Sequence, residues 1–220
     1  MEGYGQFCPV AMGAEVFANR WTPLILRELM AGSRRFSELQ RGLPRISRNL
    51  LTQRLAWMER AGLIERRRRP DGHGGQYLLT EAGEQLRPVV VALGTWGYRW
   101  AATKVETGNL DAGLLMWFIR RRVKPDHLPA GRVVACFEFP GHQPGVFWMI
   151  LDRGAAELCQ SDPDYEVDLW VTADLAAFTH VFLGHLRLDD ALRSGAIHLA
   201  GRRDMRQGFR NWLGISPFAA

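Results

Sequence analysis

Cysteine is scarce in this chain: Cys8, Cys136 and Cys159 are the only three in 220 residues, they lie far apart, and no Cys-x-x-Cys occurs. That excludes a disulfide framework and suits a reducing compartment, so a cytoplasmic location is expected. Long apolar runs are missing as well. No stretch reaches the roughly 18–20 residues that a bilayer helix requires, and the N-terminal segment has neither a basic region nor an extended apolar one. Neither a membrane partner nor an export signal is expected. Catalytic signatures are equally absent: there is no Gly-x-Ser-x-Gly, His-Glu-x-x-His, phosphate-binding loop or dinucleotide fingerprint. His180 and His185, followed by Asp189 and Asp190, come nearest to a ligand set, but their spacing puts the two histidines on different helix faces. No enzymatic activity, metal or cofactor is expected.

What is present is ordinary for a folded protein, with 47% hydrophobic and 23% charged residues, and the length suits two domains of about 100 residues each. Charge is unevenly divided. Residues 1–105 carry 16 Lys and Arg against 9 Asp and Glu, whereas residues 106–220 carry 12 against 14. A basic first half beside a slightly acidic second half points to a polyanion met by the first alone. Thr107-Gly108-Asn109 breaks the pattern of the chain, which places the domain boundary near residue 105 and predicts domains 1–105 and 106–220.

In the first half, residues 14–31 read as a short helix, a break at 19–23 and a second helix that Gly32 ends. Residues 35–41 read as a third helix, stopped by Gly42 and Pro44. From Ser47, a good N-cap, a fourth helix runs to about Arg60 with Leu51, Leu55 and Met58 at i, i+4, i+7, and Gly62 stops it. The period then changes from helical to alternating. Residues 63–69 and 76–80 read as strands joined by a glycine-rich turn, hence a hairpin. Helix, turn, helix, hairpin over residues 13–87 is the order of a winged helix-turn-helix. Thr80 caps a long helix through Leu86, Val89, Val90, Leu93, Trp96 and Trp100, which Pro88, Gly94 and Gly97 can bend or interrupt. Its apolar stripe suits a symmetric homodimer or packing on its own domain.

A helix lying in the major groove needs an apolar inner face and a hydrogen-bonding outer one. The Ser47 helix offers Arg48, Asn49, Thr52 and Gln53 outward, side chains able to pair with guanine or adenine or to touch a thymine methyl. Arg48, Asn49 and Gln53 are the expected readers, and Arg45 in the turn is expected at a phosphate. Arg66, Arg67, Arg68 and Arg69 lead into the turn that holds His73. Strand alternation splits the four into two pairs, so one pair plus the turn would grip phosphates or enter the minor groove.

These residues resemble the HxlR-type winged-helix regulators of bacteria and archaea. The likeness rests on Cys8-Pro9, Asn19-Arg-Trp-Thr-Pro-Leu-Ile-Leu-Arg-Glu-Leu, Arg35-Phe-Ser-Glu-Leu, Ile46-Ser-Arg-Asn-Leu-Leu-Thr-Gln-Arg-Leu, Ala61-Gly-Leu-Ile-Glu-Arg and Tyr77-Leu-Leu-Thr-Glu-Ala-Gly. The resemblance implies a dimer on inverted half-sites. Asn19-Arg20 stands where this family often has Gly-Lys. Cys8 falls where, in some members, a cysteine senses oxidants or electrophiles. A cysteine near a helix N-terminus in a basic domain can be a reactive thiolate, whereas Phe7 and Val10 beside it suit a packed, inert thiol equally well.

Beyond the boundary, residues 110–123, 174–183, 188–193 and 203–213 read as helices, and 133–139, 146–151, 155–159, 167–172 and 196–200 as strands, an α+β domain with an antiparallel sheet. It resembles the sterol-carrier-protein-2 (SCP2) type of domain in Val167-Asp-Leu-Trp-Val-Thr-Ala-Asp-Leu-Ala-Ala-Phe, Phe182-Leu-Gly-His-Leu, Ala191-Leu-Arg-Ser-Gly-Ala-Ile-His-Leu-Ala-Gly and Phe209-Arg-Asn-Trp-Leu. The resemblance implies an apolar cavity between sheet and helices. Phe137, Phe147, Trp148, Trp170, Phe178, Phe182 and Trp212 are its candidate lining, with Arg132, His180 and His198 as candidate polar ends, although most aromatics in such a domain are simply core. Three functions fit: a dimeric regulator controlled by an apolar small-molecule effector, an apolar-ligand carrier whose basic half serves assembly, and a DNA-binding protein whose second domain is a dimer scaffold.

Overall fold

The computed structural model describes residues 3–68, 74–101, 108, 110–152 and 155–219. They form two compact units, Met1–Gly97 and Tyr98–Ala220. The division falls inside a helix, some residues ahead of the change in sequence pattern near 105.

The first unit opens with α1 (Pro9–Phe17), which starts earlier than the apolar periodicity predicts because Pro9 at its first position brings a preset φ. α2 (Thr22–Met30) likewise holds a proline in its first turn. Between them Trp21 has φ +79, a left-handed conformation rare for so bulky a residue. Polar contacts hold this corner. The Asn19 side-chain amide donates to the Glu15 carbonyl at 2.6 Å, its oxygen accepts from Arg54 Nη1 at 3.1 Å, and the Arg20 guanidinium lies 5.5 Å from the Trp21 ring.

α3 (Phe36–Gly42) starts where the Glu38 carboxylate accepts from the amides of Arg34 and Arg35. α4 (Arg48–Arg60) starts at Ser47, whose hydroxyl accepts from the Leu50 amide at 3.2 Å. β1 (Ile64–Arg68) and β2 (Gly75–Leu79) pair antiparallel with Ile64 opposite Leu79. Ile25, Leu26, Leu29, Leu39, Ile46, Leu51, Leu55, Met58 and Ile64 form one buried cluster, each worth about 1.5–3 kcal/mol when removed from water. The helices and the hairpin therefore share a single core.

The long helix expected after Thr80 is two helices, α5 (Glu81–Gln85) and α6 (Arg87–Trp100), parted at Leu86. Pro88 is the reason. It has no amide for the Glu84 carbonyl and its ring would crowd that group, but it fits the first turn of a new helix.

The second unit contains α7 (Ala112–Arg120), a 3-10 turn (Pro125–His127), and strands β3 (Val133–Glu138), β4 (Val146–Asp152), β5 (Ala155–Cys159), β6 (Leu169–Ala173) and β7 (Ile197–Gly201). Helices α8 (Leu175–Phe182), α9 (Leu188–Arg193) and α10 (Arg203–Trp212) complete it. Asp111 and Asp174 cap α7 and α8 through the amides of Leu114 and Ala177. The sheet runs β5-β4-β3-β6-β7. It is mixed rather than wholly antiparallel, since β3 and β6 are parallel. After β5 the chain passes β4 and β3 before pairing again, and a strand reached by such a crossover enters in the parallel sense. Asp168 fixes the entry: its amide donates to the Val134 carbonyl and its carboxylate accepts from the Val134 amide, both at 2.9 Å.

Strand alternation sends Phe137, Phe147, Met149, Leu169 and Val171 to one face, where they share a buried cluster with residues of α7, α8 and α10. Cys136, Trp148 and Trp170 occupy neighbouring positions on the other face. Among the described residues no helix is long and apolar enough to cross a membrane.

Candidate nucleic-acid interface

The turn between α3 and α4 is fastened from within: Gln40 Nε2 donates to the Ile46 carbonyl at 2.8 Å, and Leu43 and Ile46 are buried. This fixes the direction in which α4 leaves Ser47. With Leu51, Leu55 and Met58 buried, the other side of the helix exposes Arg48, Asn49, Thr52 and Gln53, and Arg45 and Ser47 are exposed beside them. Six candidate residues thus form one continuous polar surface. The Thr52 hydroxyl donates to the Arg48 carbonyl at 2.9 Å, so its methyl group is the part of the side chain not engaged by the helix. The Arg48 guanidinium lies 5.5 Å from the Phe36 ring, a platform contributed by α3.

On the hairpin, Arg66 and Arg68 share a face with Ile64, and Arg67 shares the other with Glu65. Arg66 lies 5.9 Å from the Tyr77 ring across the strand pair. Arg67 Nη2 is 2.5 Å from Glu65 Oε1, both side chains well exposed. Arg69 and His73, also expected at the interface, lie outside the described residues. The hairpin is fastened at two points. The Tyr77 amide donates to the Arg34 carbonyl, between α2 and α3, and the Thr80 amide donates to the Leu63 carbonyl, closing the base of the strand pair. Gly83 sits against that second tie, since a Cβ there would be 2.1 Å from the Leu63 oxygen.

Phe36 and Tyr77 fall in the motifs of the family resemblance, but their contacts with Arg48 and Arg66, and that of Gln40 with the turn, have no signal in the sequence. Their roles arise from approaches between elements, and local periodicity carries no information about those.

Cys8 is exposed at the start of α1. The backbone amides of Ala11 and Val10 at the start of the helix favour the thiolate and hold its thiol below the ordinary value. Cys136 is the opposite case: burial, with Glu138 and Asp162 nearby, pushes its thiol up to about 12.

The expected aromatic lining of the second unit is instead packed interior. Phe137, Phe147, Phe178, Phe182 and Trp212 are all buried in one cluster, with the Phe178 ring 6.0 Å from Phe137 and 5.8 Å from Phe139. Side chains from sheet and helices interdigitate there and fill the space. Trp148 and Trp170 lie on the opposite face of the sheet, Trp170 being exposed. Of the candidate polar ends, Arg132 stacks at 4.5 Å on Tyr165 and His180 lies 5.7 Å from His185, while His198 is exposed on β7.

Three helices, a fastened turn and a two-stranded hairpin around one core define a winged helix-turn-helix with a polar outer face on its last helix. Residues 16–105 match the model of the HxlR-like helix-turn-helix family. The HTH-type transcriptional regulator sll1512 of Synechocystis sp. is 36% identical over 112 residues, covering 50% of this chain and 80% of that protein. Rv3095 of Mycobacterium tuberculosis, another HTH-type regulator, is 42% identical over 91 residues, 40% of this chain and 56% of the relative. The reduced form of the transcriptional regulator YodB of Bacillus subtilis is 31% identical over 45% of this chain and 99% of that one, with a TM-score of 0.39. The chain belongs to the HxlR-like family of helix-turn-helix transcriptional regulators. It is a DNA-binding regulator, and the family is not one of enzymes.

Proposed function

We propose that the protein is a sequence-specific transcriptional regulator that binds an inverted-repeat operator as a homodimer and answers to an apolar small-molecule effector held by its SCP2-like second domain. The polar surface of α4 carries the reading. Asn49 and Gln53 are exposed one turn apart on a helix whose opposite face is locked into the core, the arrangement that presents amides to base edges. Arg48 joins them from its stack on Phe36, Arg45 and Ser47 approach the backbone at the turn, and the hairpin arginines grip phosphate.

Two apolar surfaces support the dimer. Val89, Leu93, Trp96 and Trp100 are exposed along one side of α6, and Phe7, Val10 and Met12 are exposed around α1. Binding two half-sites one turn of duplex apart requires the paired α4 helices to lie about 34 Å apart. Cys8, exposed on the same N-terminal segment, is a second input through oxidation or alkylation of its thiol. The second unit's sheet, with helices packed on one face, supports the SCP2-like reading.

The test is a mobility-shift assay on the DNA upstream of the protein's own gene. Asn49→Ala and Gln53→Ala should weaken the cognate site by roughly ten-fold and relax base preference, whereas Arg67→Ala should weaken all sequences alike and flatten the salt dependence. Equal loss across sequences for all three variants would refute the division into reader and grip, and no binding to any upstream site at low salt would refute the regulator reading. The packed aromatic interior favours one second reading, in which the second domain is a dimer scaffold. Indifference of the complex to every apolar compound would support it.

A further inference from the structure

We propose that the cavity at the α8–α9 corner of the second unit binds an apolar monocarboxylate, the effector class of the regulator proposed above, on which reading its regulatory meaning rests. The cavity measures about 310 Å³, the lower end of the range for small-molecule sites. Its apolar lining comes from three segments: Val181 at the end of α8, Leu186 and Leu188 around the start of α9, and Leu213 and Ile215 after α10. Gly184, at φ +76, turns the chain between the first two. This is a different place from the aromatic interior, and it is open where that is filled.

Charge at the mouth selects the ligand. Arg187, Asp189 and Arg210 stand around it. Arg210 Nη2 is 3.0 Å from Asp189 Oδ1, both side chains largely exposed, so that pair is weakly held. Arg187 is exposed, and its side chain makes no ion pair or hydrogen bond among the described residues. One positive charge is therefore uncompensated beside an apolar pocket. A neutral apolar molecule would leave it unused, and a cation would be repelled. A carboxylate on an apolar tail satisfies both parts, because guanidinium binds carboxylate through two parallel hydrogen bonds while the tail leaves water.

The wall of this cavity is held by Tyr98 of the same unit. The Leu183 carbonyl accepts from the Tyr98 hydroxyl at 2.9 Å, and the His185 ring lies 5.2 Å from the Tyr98 ring. Tyr98 belongs to this unit and to the last turn of α6. A ligand pressing on 184–187 acts on that hydrogen bond.

The experiment is calorimetric titration of the full chain with decanoate, and with decanol and decylamine as neutral and cationic molecules with the same tail. Decanoate should bind saturably, one per chain, and decanol and decylamine at least roughly ten-fold more weakly. Arg187→Ala should cost decanoate a similar factor and leave decanol unchanged. Ile215→Glu, at an exposed position, should repel decanoate without unfolding the chain, as circular dichroism would verify. Absence of saturable heat, equal affinity for decanoate and decanol, or full affinity in Arg187→Ala would overturn the site. Operator affinity measured with and without decanoate separates the two readings. Binding that leaves operator affinity unchanged upholds the site and overturns its effector role, while operator binding in the absence of any ligand stands independently.

Discussion

Replacing Trp96 by Glu should dissociate the proposed dimer without unfolding the protomer. Trp96 is 60% exposed, and an indole offers up to about 250 Å², so roughly 150 Å² of apolar surface lies open on each chain. At about 25 cal/mol per Å² its burial is worth some 3–4 kcal/mol per protomer and twice that across a two-fold axis. Part of that gain is lost to immobilising the partners. Half of it still corresponds to a change of more than about 100-fold in the dissociation constant, before the cost of two new carboxylates near the axis is added. Sedimentation equilibrium should give a dimer for the natural sequence and a monomer for Trp96→Glu at the same micromolar concentration. The melting of the first unit should be nearly unchanged, because the side chain is not part of its core. Operator affinity should fall towards that of a single half-site. A variant that still sediments as a dimer would refute the assignment of this face, and a monomeric natural protein bound to its operator would refute the dimer itself.

Gly83→Ala should destabilise the first unit by about 1–3 kcal/mol in denaturant titration, because its Cβ would meet the Leu63 carbonyl oxygen at 2.1 Å. Gly97→Ala, which meets nothing within 4 Å, is the control and should be neutral or slightly stabilising. Phe178→Ala should cost about 3–5 kcal/mol of the second unit's stability while leaving decanoate binding at the α8–α9 corner intact, as a packing residue requires and a lining residue forbids. Cys8 should be alkylated first as pH is raised, its rate climbing below the pH at which a free thiol titrates, because the amides of Ala11 and Val10 at the helix start favour the thiolate. Cys136, held near 12 by burial, should react only on unfolding. Equal rates at the two thiols in the folded protein would contradict this.

Much of the first unit is legible in the sequence because its signals are local. Ser47 begins α4, the i, i+4, i+7 leucines and methionine fix the buried face, and the polar residues between them fix the exposed one. Pro88 is readable as a disturbance, but whether it bends a helix or starts a new one depends on the chain before it. Here Thr80 had already spent its capping oxygen on a short α5, through the Gly83 amide at 3.2 Å. The second unit is less legible for two reasons. Period-two alternation is the same in parallel and antiparallel strands, so the pairing of β3 with β6 leaves no mark on either strand. An aromatic residue facing a filled interior also has the same sequence signature as one facing a cavity, so Phe137 and Phe178 could not be told from ligand contacts. Arg187 and Ile215 meet only because the chain after α10 returns to the end of α8, where the Ser216 amide donates to the Phe182 carbonyl at 2.7 Å.

In the proposed DNA complex, the placement of the polar groups on the first unit also sets how affinity and specificity divide. Arg66 is stacked on Tyr77 and Arg67 is paired with Glu65, so neither must be ordered from a freely rotating state on meeting a phosphate, and part of the entropic cost of binding is already met. The same contacts limit their reach. Arg67 must exchange a carboxylate for a phosphate, a near-even trade that yields positioning and salt dependence more than discrimination. Asn49 and Gln53 give up only water when they meet a base edge, and a wrong base leaves an amide unpaired at a closed interface, at a cost of about 1–3 kcal/mol. On the proposed reading specificity therefore resides in α4, even though four of the six arginines assigned to the interface, Arg66 to Arg69, belong to the hairpin. An effector that alters the separation of two α4 helices would consequently abolish operator choice before it abolished attachment to DNA.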